Sequence, residues 1–350
     1  MSRIITLFTT ASLITLSHTA LASAENLKVV ASFSIIADFA KNVGGDRVDI
    51  TTLVGPDGDA HVYEPKPSDA AAVGKADVVL VNGLQFEGFL SRLVEASGTK
   101  APIVELTKGG EVLKMADEPH AHEEEGHHHD AAEEGHEHAE EGHEHETAKA
   151  EHDHEPSHNH EAGEEHPHGH HHHGEYDPHA WQSVHNAEVY VKNIVDAFCA
   201  ADAEGCDTYK SNGDAYEAKL SALDEEVKAA IADIPKDKRV VITSHDAFGY
   251  FEHEYGLEFL APEGVSTESE ASAADIAALI KQVREDKASA IFVENITNPR
   301  LIEQIASETG IEVGGTLYSD ALSDTDGPAS SYIDMMEYNV QTIKGAILGS

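Results

Sequence analysis

The sequence predicts an α/β chain: two lobes with mostly parallel sheets, joined by one long helix. Two sets of short β-branched runs alternating with helix-like stretches predict the lobes. A single unbroken helical periodicity between the two sets predicts the join.

The first set contains LKVVASF at 27–33, VDITTLV at 48–54, DVVLVNG at 77–83 and APIVEL at 101–106. Each run is short and apolar and ends in Gly, Pro or polar residues, as strands buried on both faces do. Strands that alternate with helices form right-handed βαβ units. A helical stretch at 182–200 closes this lobe. Tyr209, Tyr216, Leu220, Leu223, Val227, Ile231 and Ile234 then recur every three or four residues and mark the joining helix, which Pro235 stops. The second set is RVVITSH at 239–245, LEFLAP at 257–262, SAIFVEN at 289–295 and IEVGGTLYSD at 311–320. The predicted organisation is a signal peptide at 1–24, a first lobe at 25–206, the helix at 207–234 and a second lobe at 235–350.

Arg3, the apolar run Ile4 to Leu16 and the small residues Ala22-Ser23-Ala24 have the form of a secretory signal peptide cut after Ala24. The apolar run is shorter than the roughly 20 residues that a membrane span needs. No cysteine follows the cut to carry a lipid, so the mature chain is expected to be soluble and periplasmic. The two cysteines, Cys199 and Cys206, are close in sequence, and in an oxidising compartment such a pair is read as a local disulfide. No nearby histidine or second pair completes a zinc site around them.

Of the formal charge of −42, −19 falls in one segment. Residues 117–175 hold 20 acidic residues against the single Lys149, and 19 of the 25 histidines. This acidity argues against nucleic acid or an anionic membrane as partner and suits cations. The segment has no aliphatic residue larger than alanine, so it is expected to be disordered without metal. Its clusters are His127, His128 and His129; His136 and His138; His143 and His145; His152 and His154; and His168, His170, His171, His172 and His173. They predict weak, exchangeable metal sites, because binding there must also order the chain. The alternative is a solvated acidic linker.

Outside that segment and the signal peptide only five histidines remain. Three lie in loops after predicted strands: His61 in GDAHVYEPKPSD, His179 in YDPHAW and His245 in TSHDAFGY. Asp320 in YSDALS is a fourth such residue. Ligands of α/β sheets bind outside the carboxyl ends of the strands, and two motifs belong to each lobe, so they can converge only between the lobes. Three neutral imidazoles and one carboxylate suit tetrahedral zinc. His185 and His253 fall in helical stretches and read as surface residues. Glu64, Asp177, Asp246 and Glu294 are the carboxylates near enough in sequence, or at a strand end, to orient the histidines. Tyr63, Trp181, Phe248 and Tyr250 are candidates for walling the cleft, or for ordinary packing.

H-x-Y-E-P at 61–65, D-P-H-x-W at 177–181, S-H-x-A-F-G-Y at 244–250 and Y-S-D-x-L-S at 318–323 together resemble the metal-specific solute-binding proteins of ABC transporters, closest to the zinc-binding ZnuA-type group (cluster A-I, family 9). The resemblance implies two Rossmann-like lobes on a rigid backbone helix with the metal between them. It implies His61 and His179 as ligands from the first lobe, and His245 and Asp320 from the second. Ala60 stands where relatives often carry proline. Manganese-binding relatives typically have glutamate where His245 stands, so histidine there favours zinc. The implied role is that of a monomeric carrier, not an enzyme, handing Zn2+ to a membrane permease. Periplasmic zinc chaperones are further candidate partners. A zinc reservoir, a metallochaperone and a manganese carrier are the alternatives. A zinc hydrolase is disfavoured, since no H-E-x-x-H occurs.

Overall fold

The computed structural model describes residues 25–115 and 174–349. The expected signal peptide and the histidine clusters from His127 to His173 lie outside these residues.

The chain forms, in order, β1 (Leu27–Phe33), α1 (Ser34–Gly44), β2 (Val48–Val54), α2 (Pro67–Val73), β3 (Val78–Val81), α3 (Leu90–Ser97), β4 (Ile103–Glu105) and α4 (Val184–Ala201). There follow α5 (Cys206–Ala232), β5 (Val240–Ile242), α6 (Gly249–Tyr255), β6 (Glu258–Leu260), α7 (Ala273–Asp286), β7 (Ala290–Glu294), α8 (Arg300–Thr309), β8 (Val313–Leu317) and α9 (Tyr332–Leu348). Both sheets are wholly parallel. Their orders, β2-β1-β3-β4 and β6-β5-β7-β8, repeat one topology. Each lobe therefore has its switch point between its first and third strands, where a crevice opens beyond the carboxyl ends.

Helix α5 has 27 residues and so spans roughly 40 Å. Its buried face consists of Tyr209, Gly213, Tyr216, Leu220, Leu223, Val227 and Ile231, which is the predicted stripe with Gly213 added and without Ile234. It ends at Ala232 rather than 234, because the residue before Pro235 is driven out of the helical region. At Gly213 an added Cβ would meet Val195 Cγ2 at 2.6 Å, so glycine lets α4 and α5 pack closely. A disulfide joins Cys199 at the end of α4 to Cys206 at the start of α5.

One continuous core runs from the first sheet through α4, α5 and α9 into the second lobe. Phe39 lies within 6.2 Å, centroid to centroid, of Tyr190, Tyr216 and Tyr332, and so ties α1, α4, α5 and α9 together. A smaller core between α7, α8 and the second sheet holds Ile242, Leu279, Ile280, Val283, Ile291, Ile302 and Ile305. The sheet ends that face the cleft thus rest on a shared framework.

Candidate metal centre

Each of the four motif residues hangs from the carboxyl end of a strand. His61 follows β2, His245 follows β5 and Asp320 follows β8. His179 comes from the segment after β4. There 113–115 pairs with 175–177, through Met115 N donating to Glu175 O and Asp177 N donating to Leu113 O. Asp320 is pinned by its neighbours. Trp181 Nε1 and Gln182 Nε2 both donate to Ser319 O, at 2.9 and 2.7 Å, and Leu322 N donates to Ser34 Oγ at 2.9 Å.

The structure brings all four side chains together. Asp320 Oδ2 lies 3.1 Å from His61 Nε2, 3.7 Å from His179 Nε2 and 3.2 Å from His245 Nε2. One donor atom from each residue lies within 4.8 Å of the others, and all four residues are buried. Ligands about 2.0 Å from a tetrahedral ion stand about 3.3 Å apart, and the three separations bracket that edge. His179 Nε2, His245 Nε2 and Asp320 Oδ1 are buried without any hydrogen-bond partner among the described residues. Buried polar atoms are rarely left in that condition unless a ligand claims them.

The outer ring nitrogens are held by carboxylates. Asp177 Oδ1 lies 2.7 Å from His179 Nδ1 and accepts the His179 amide at 2.9 Å. Glu294 Oε2 lies 2.7 Å from His245 Nδ1, at an angle poor for a hydrogen bond. Its Oε1 accepts the amides of Ser244 and His245. Such partners turn Nε2 inward and strengthen it as a donor. Burial alone would lower the pKa of His179, but the Asp320 and Asp177 carboxylates outweigh it and raise it to about 9. His245 is raised in the same way, against its burial, by Glu294 and Asp320. Burial would raise Asp320, yet the two imidazoles His179 and His245 hold it well below the usual range.

Other expectations divide. His185 and His253 are exposed. Glu64 and Asp246 are exposed too, and neither hydrogen-bonds to or ion-pairs with a motif histidine, so the orienting carboxylates are Asp177 and Glu294. Among the aromatic candidates only Trp181 walls the centre, with its ring 5.3 Å from that of His179. Tyr63 turns away to donate to Asp69, Phe248 stacks on Phe259, and Tyr250 donates to the Asp177 carbonyl. The missed wall is Phe86, 4.8 Å from the His61 ring and 6.0 Å from His179. It sits after β3, beyond three consecutive residues with positive φ, Gly83, Leu84 and Gln85. Glu87, buried beside it, accepts from Ser32 Oγ and the Asn82 amide across the switch point. That position, just after the third strand, was the available signal.

Residues 29–346 match the family described as zinc-uptake complex component A, periplasmic (ZnuA). The chain belongs to this family. The manganese-binding lipoprotein MntA of Halalkalibacterium halodurans is 29% identical over 318 residues, 91% of this chain and 87% of MntA. The iron ABC transporter substrate-binding lipoprotein MtsA of Streptococcus pyogenes serotype M1 is 30% identical over 322 residues, 92% of this chain and 89% of MtsA. The solved periplasmic zinc binding protein TroA from Treponema pallidum superposes with a TM-score of 0.73 at 26% identity, covering 92% of this chain and 99% of TroA. All three are named for a metal, and MtsA is named as the substrate-binding lipoprotein of an ABC transporter. Their names carry three different metals.

Proposed function

We propose that this ZnuA-family chain is a periplasmic carrier that binds one Zn2+ between its lobes and delivers it to an ABC permease for uptake. The ligands are His61, His179, His245 and Asp320. The observation that carries this reading is the convergence of three imidazole nitrogens on one carboxylate oxygen, with the inward atoms of His179 and His245 otherwise unpartnered. Three neutral donors and one anion leave a zinc centre at about +1, and an imidazole-rich set suits zinc better than manganese. Four protein donors leave no open position for a hydrolytic water, which supports a carrier and not an enzyme.

The histidine-rich segment serves this centre as an accessory that captures or senses zinc. Its two ends leave from the paired stem at 113–115 and 175–177, whose last residue, Asp177, orients His179. One observation favours a larger ion such as Mn2+: Asp320 Oδ1 is also unpartnered, and a bidentate Asp320 would supply a fifth donor. Trp181 is the only tryptophan of the chain and lies against His179, so its fluorescence reads the cleft. Competition between Zn2+ and Mn2+ followed at Trp181 is the test. Tighter zinc is expected, and tighter manganese would sink the assignment. Loss of zinc uptake on gene deletion separates a transport role from a reservoir. Mass spectrometry of the exported chain tests cleavage after Ala24.

A further inference from the structure

His61 differs from the other three members of the centre. It is 8% exposed where they are fully buried, and among the described residues no carboxylate pairs with its Nδ1. It sits in the loop at 55–66 between β2 and α2. Phe86 and Phe89 pack on that loop from its own lobe, and further ties reach it from across the cleft. Asp57 N donates to Leu322 O at 2.9 Å. Asn295 Nδ2, just after β7, donates to Asp57 Oδ1 at 2.9 Å and also reaches Ala321 O at 3.3 Å. Asp57 has a φ of 52°, unusual for a residue other than glycine and kept only where surroundings hold it.

Asp59 makes the second tie. Its Oδ1 accepts the His61 amide at 2.9 Å, and its Oδ2 accepts the hydroxyl of Thr267, from the loop between β6 and α7, at 2.6 Å. One carboxylate thereby links a hydroxyl of the second lobe to the backbone of a first-lobe ligand. Hydrogen bonds to a charged acceptor are the stronger kind.

We infer that Thr267 and Asn295, neither of which touches the donor set, are positioning residues that govern how long the bound ion stays, by tying the His61 loop across the cleft. The inference rests on the metal centre proposed above. His61 is the ligand that must leave first, and these ties must break for it to leave. Loosening them therefore speeds dissociation and leaves capture nearly unchanged. Partners outside the ligand shell commonly change affinity by about 10–100-fold, and here that change belongs in the off-rate.

The test loads the full chain with one equivalent of Zn2+, chases it with excess chelator and follows Trp181 fluorescence. Thr267→Val removes the hydroxyl at nearly constant shape, Thr267→Ser restores it, and Asn295→Ala cuts the other tie independently. Dissociation is expected to accelerate about 10–100-fold in Thr267→Val and in Asn295→Ala. Association and metal-free thermal stability should stay near wild type, and Thr267→Ser should return to the wild-type rate. Wild-type dissociation in both Thr267→Val and Asn295→Ala, or equal acceleration in Thr267→Ser, overturns the inference. So does a matching loss of association rate, which would indicate general damage to the centre. If zinc leaves wild-type Trp181 unmoved, the cleft assignment itself has failed, an outcome separate from failure of the ties alone.

Discussion

Asp177 Oδ1 accepts the backbone amide of His179 and lies 2.7 Å from Nδ1 of the same residue, so one carboxylate oxygen holds both the ring and the main chain of a single ligand. Asp177→Asn keeps an oxygen for the amide but loses the charge that strengthens the imidazole. Zinc affinity is expected to fall about 10–100-fold with the cleft stoichiometry still one. Chelator competition read at Trp181 measures this. Gly249→Ala should act in the same direction, because its Cβ would come within 2.7 Å of Asp177 Oδ2.

The charge state of the centre predicts opposite pH trends with and without metal. Imidazoles whose pKa is raised in the fold stabilise the metal-free protein fully below their ordinary 6.5, and for His179 that contribution is lost as pH rises through about 9. Asp320 is depressed, so its contribution is present above the ordinary 3.8 and is lost only as pH falls through its lowered value. Metal needs the neutral imidazole, so affinity should rise about tenfold per pH unit for each proton displaced. The rise in Tm caused by Zn2+ should therefore be larger at pH 9 than at pH 6.5. An equal rise at both would mean that the donors are not protonated in the metal-free protein.

Removing residues 117–174 should separate the two kinds of histidine. The described residues on either side make one compact unit, and residues 113–115 and 175–177 already pair with each other. The shortened chain, closed with a brief Gly/Ser turn, is expected to keep one tight zinc and its full Trp181 response. Elemental analysis should show that only weakly held zinc is lost. Disappearance of the tight zinc would instead make the histidine-rich segment the principal site.

The lobes were legible because strands buried on both faces must be apolar and β-branched, and each run stopped at a turn signal close to where the strand ends. The α5 stripe was legible because burial against α4 and α9 imposes spacing by three and four. His61, His179, His245 and Asp320 stood out as strand-end residues in a chain with few other histidines outside one segment. The choice among orienting carboxylates was hidden. Asp246 is nearer to its histidine in sequence than Asp177 and Glu64 only one residue farther, but side-chain direction decides which of them reaches a ring. Glu294 reaches His245 because β5 and β7 are neighbours, a fact of strand order. Phe86 and Thr267 come from loops without a motif, and they reach His61 and Asp59 over sequence separations that no local pattern reveals.

Packing of the joining helix gives a stability test remote from the centre. Gly213→Ala gains helix propensity of about 1 kcal/mol but drives a methyl into Val195, which is rigid and buried. Overpacking of this kind costs about 1–3 kcal/mol, so a net loss of up to about 2 kcal/mol is expected in denaturant unfolding. Val195→Ala in the same chain should recover most of the overpacking loss, and the non-additivity identifies the contact. Zinc stoichiometry should not change in either variant.

Metal choice is tested most directly at His245. Its ring nitrogens face Asp320 on one side and Glu294 on the other. His245→Glu replaces an imidazole by a carboxylate, which lowers the preference for zinc over manganese. It also sets a second carboxylate beside Glu294, and like charges at that range disfavour ionisation of both. The single variant is therefore expected to lose affinity for both metals, with zinc losing about tenfold more. His245→Glu combined with Glu294→Gln removes the repulsion and should recover manganese binding selectively. Parallel titrations with Zn2+ and Mn2+ at Trp181 give the ratio. If the ratio in the double variant equals that of wild type, His245 does not set the metal, and the unpartnered Asp320 Oδ1 becomes the atom to examine.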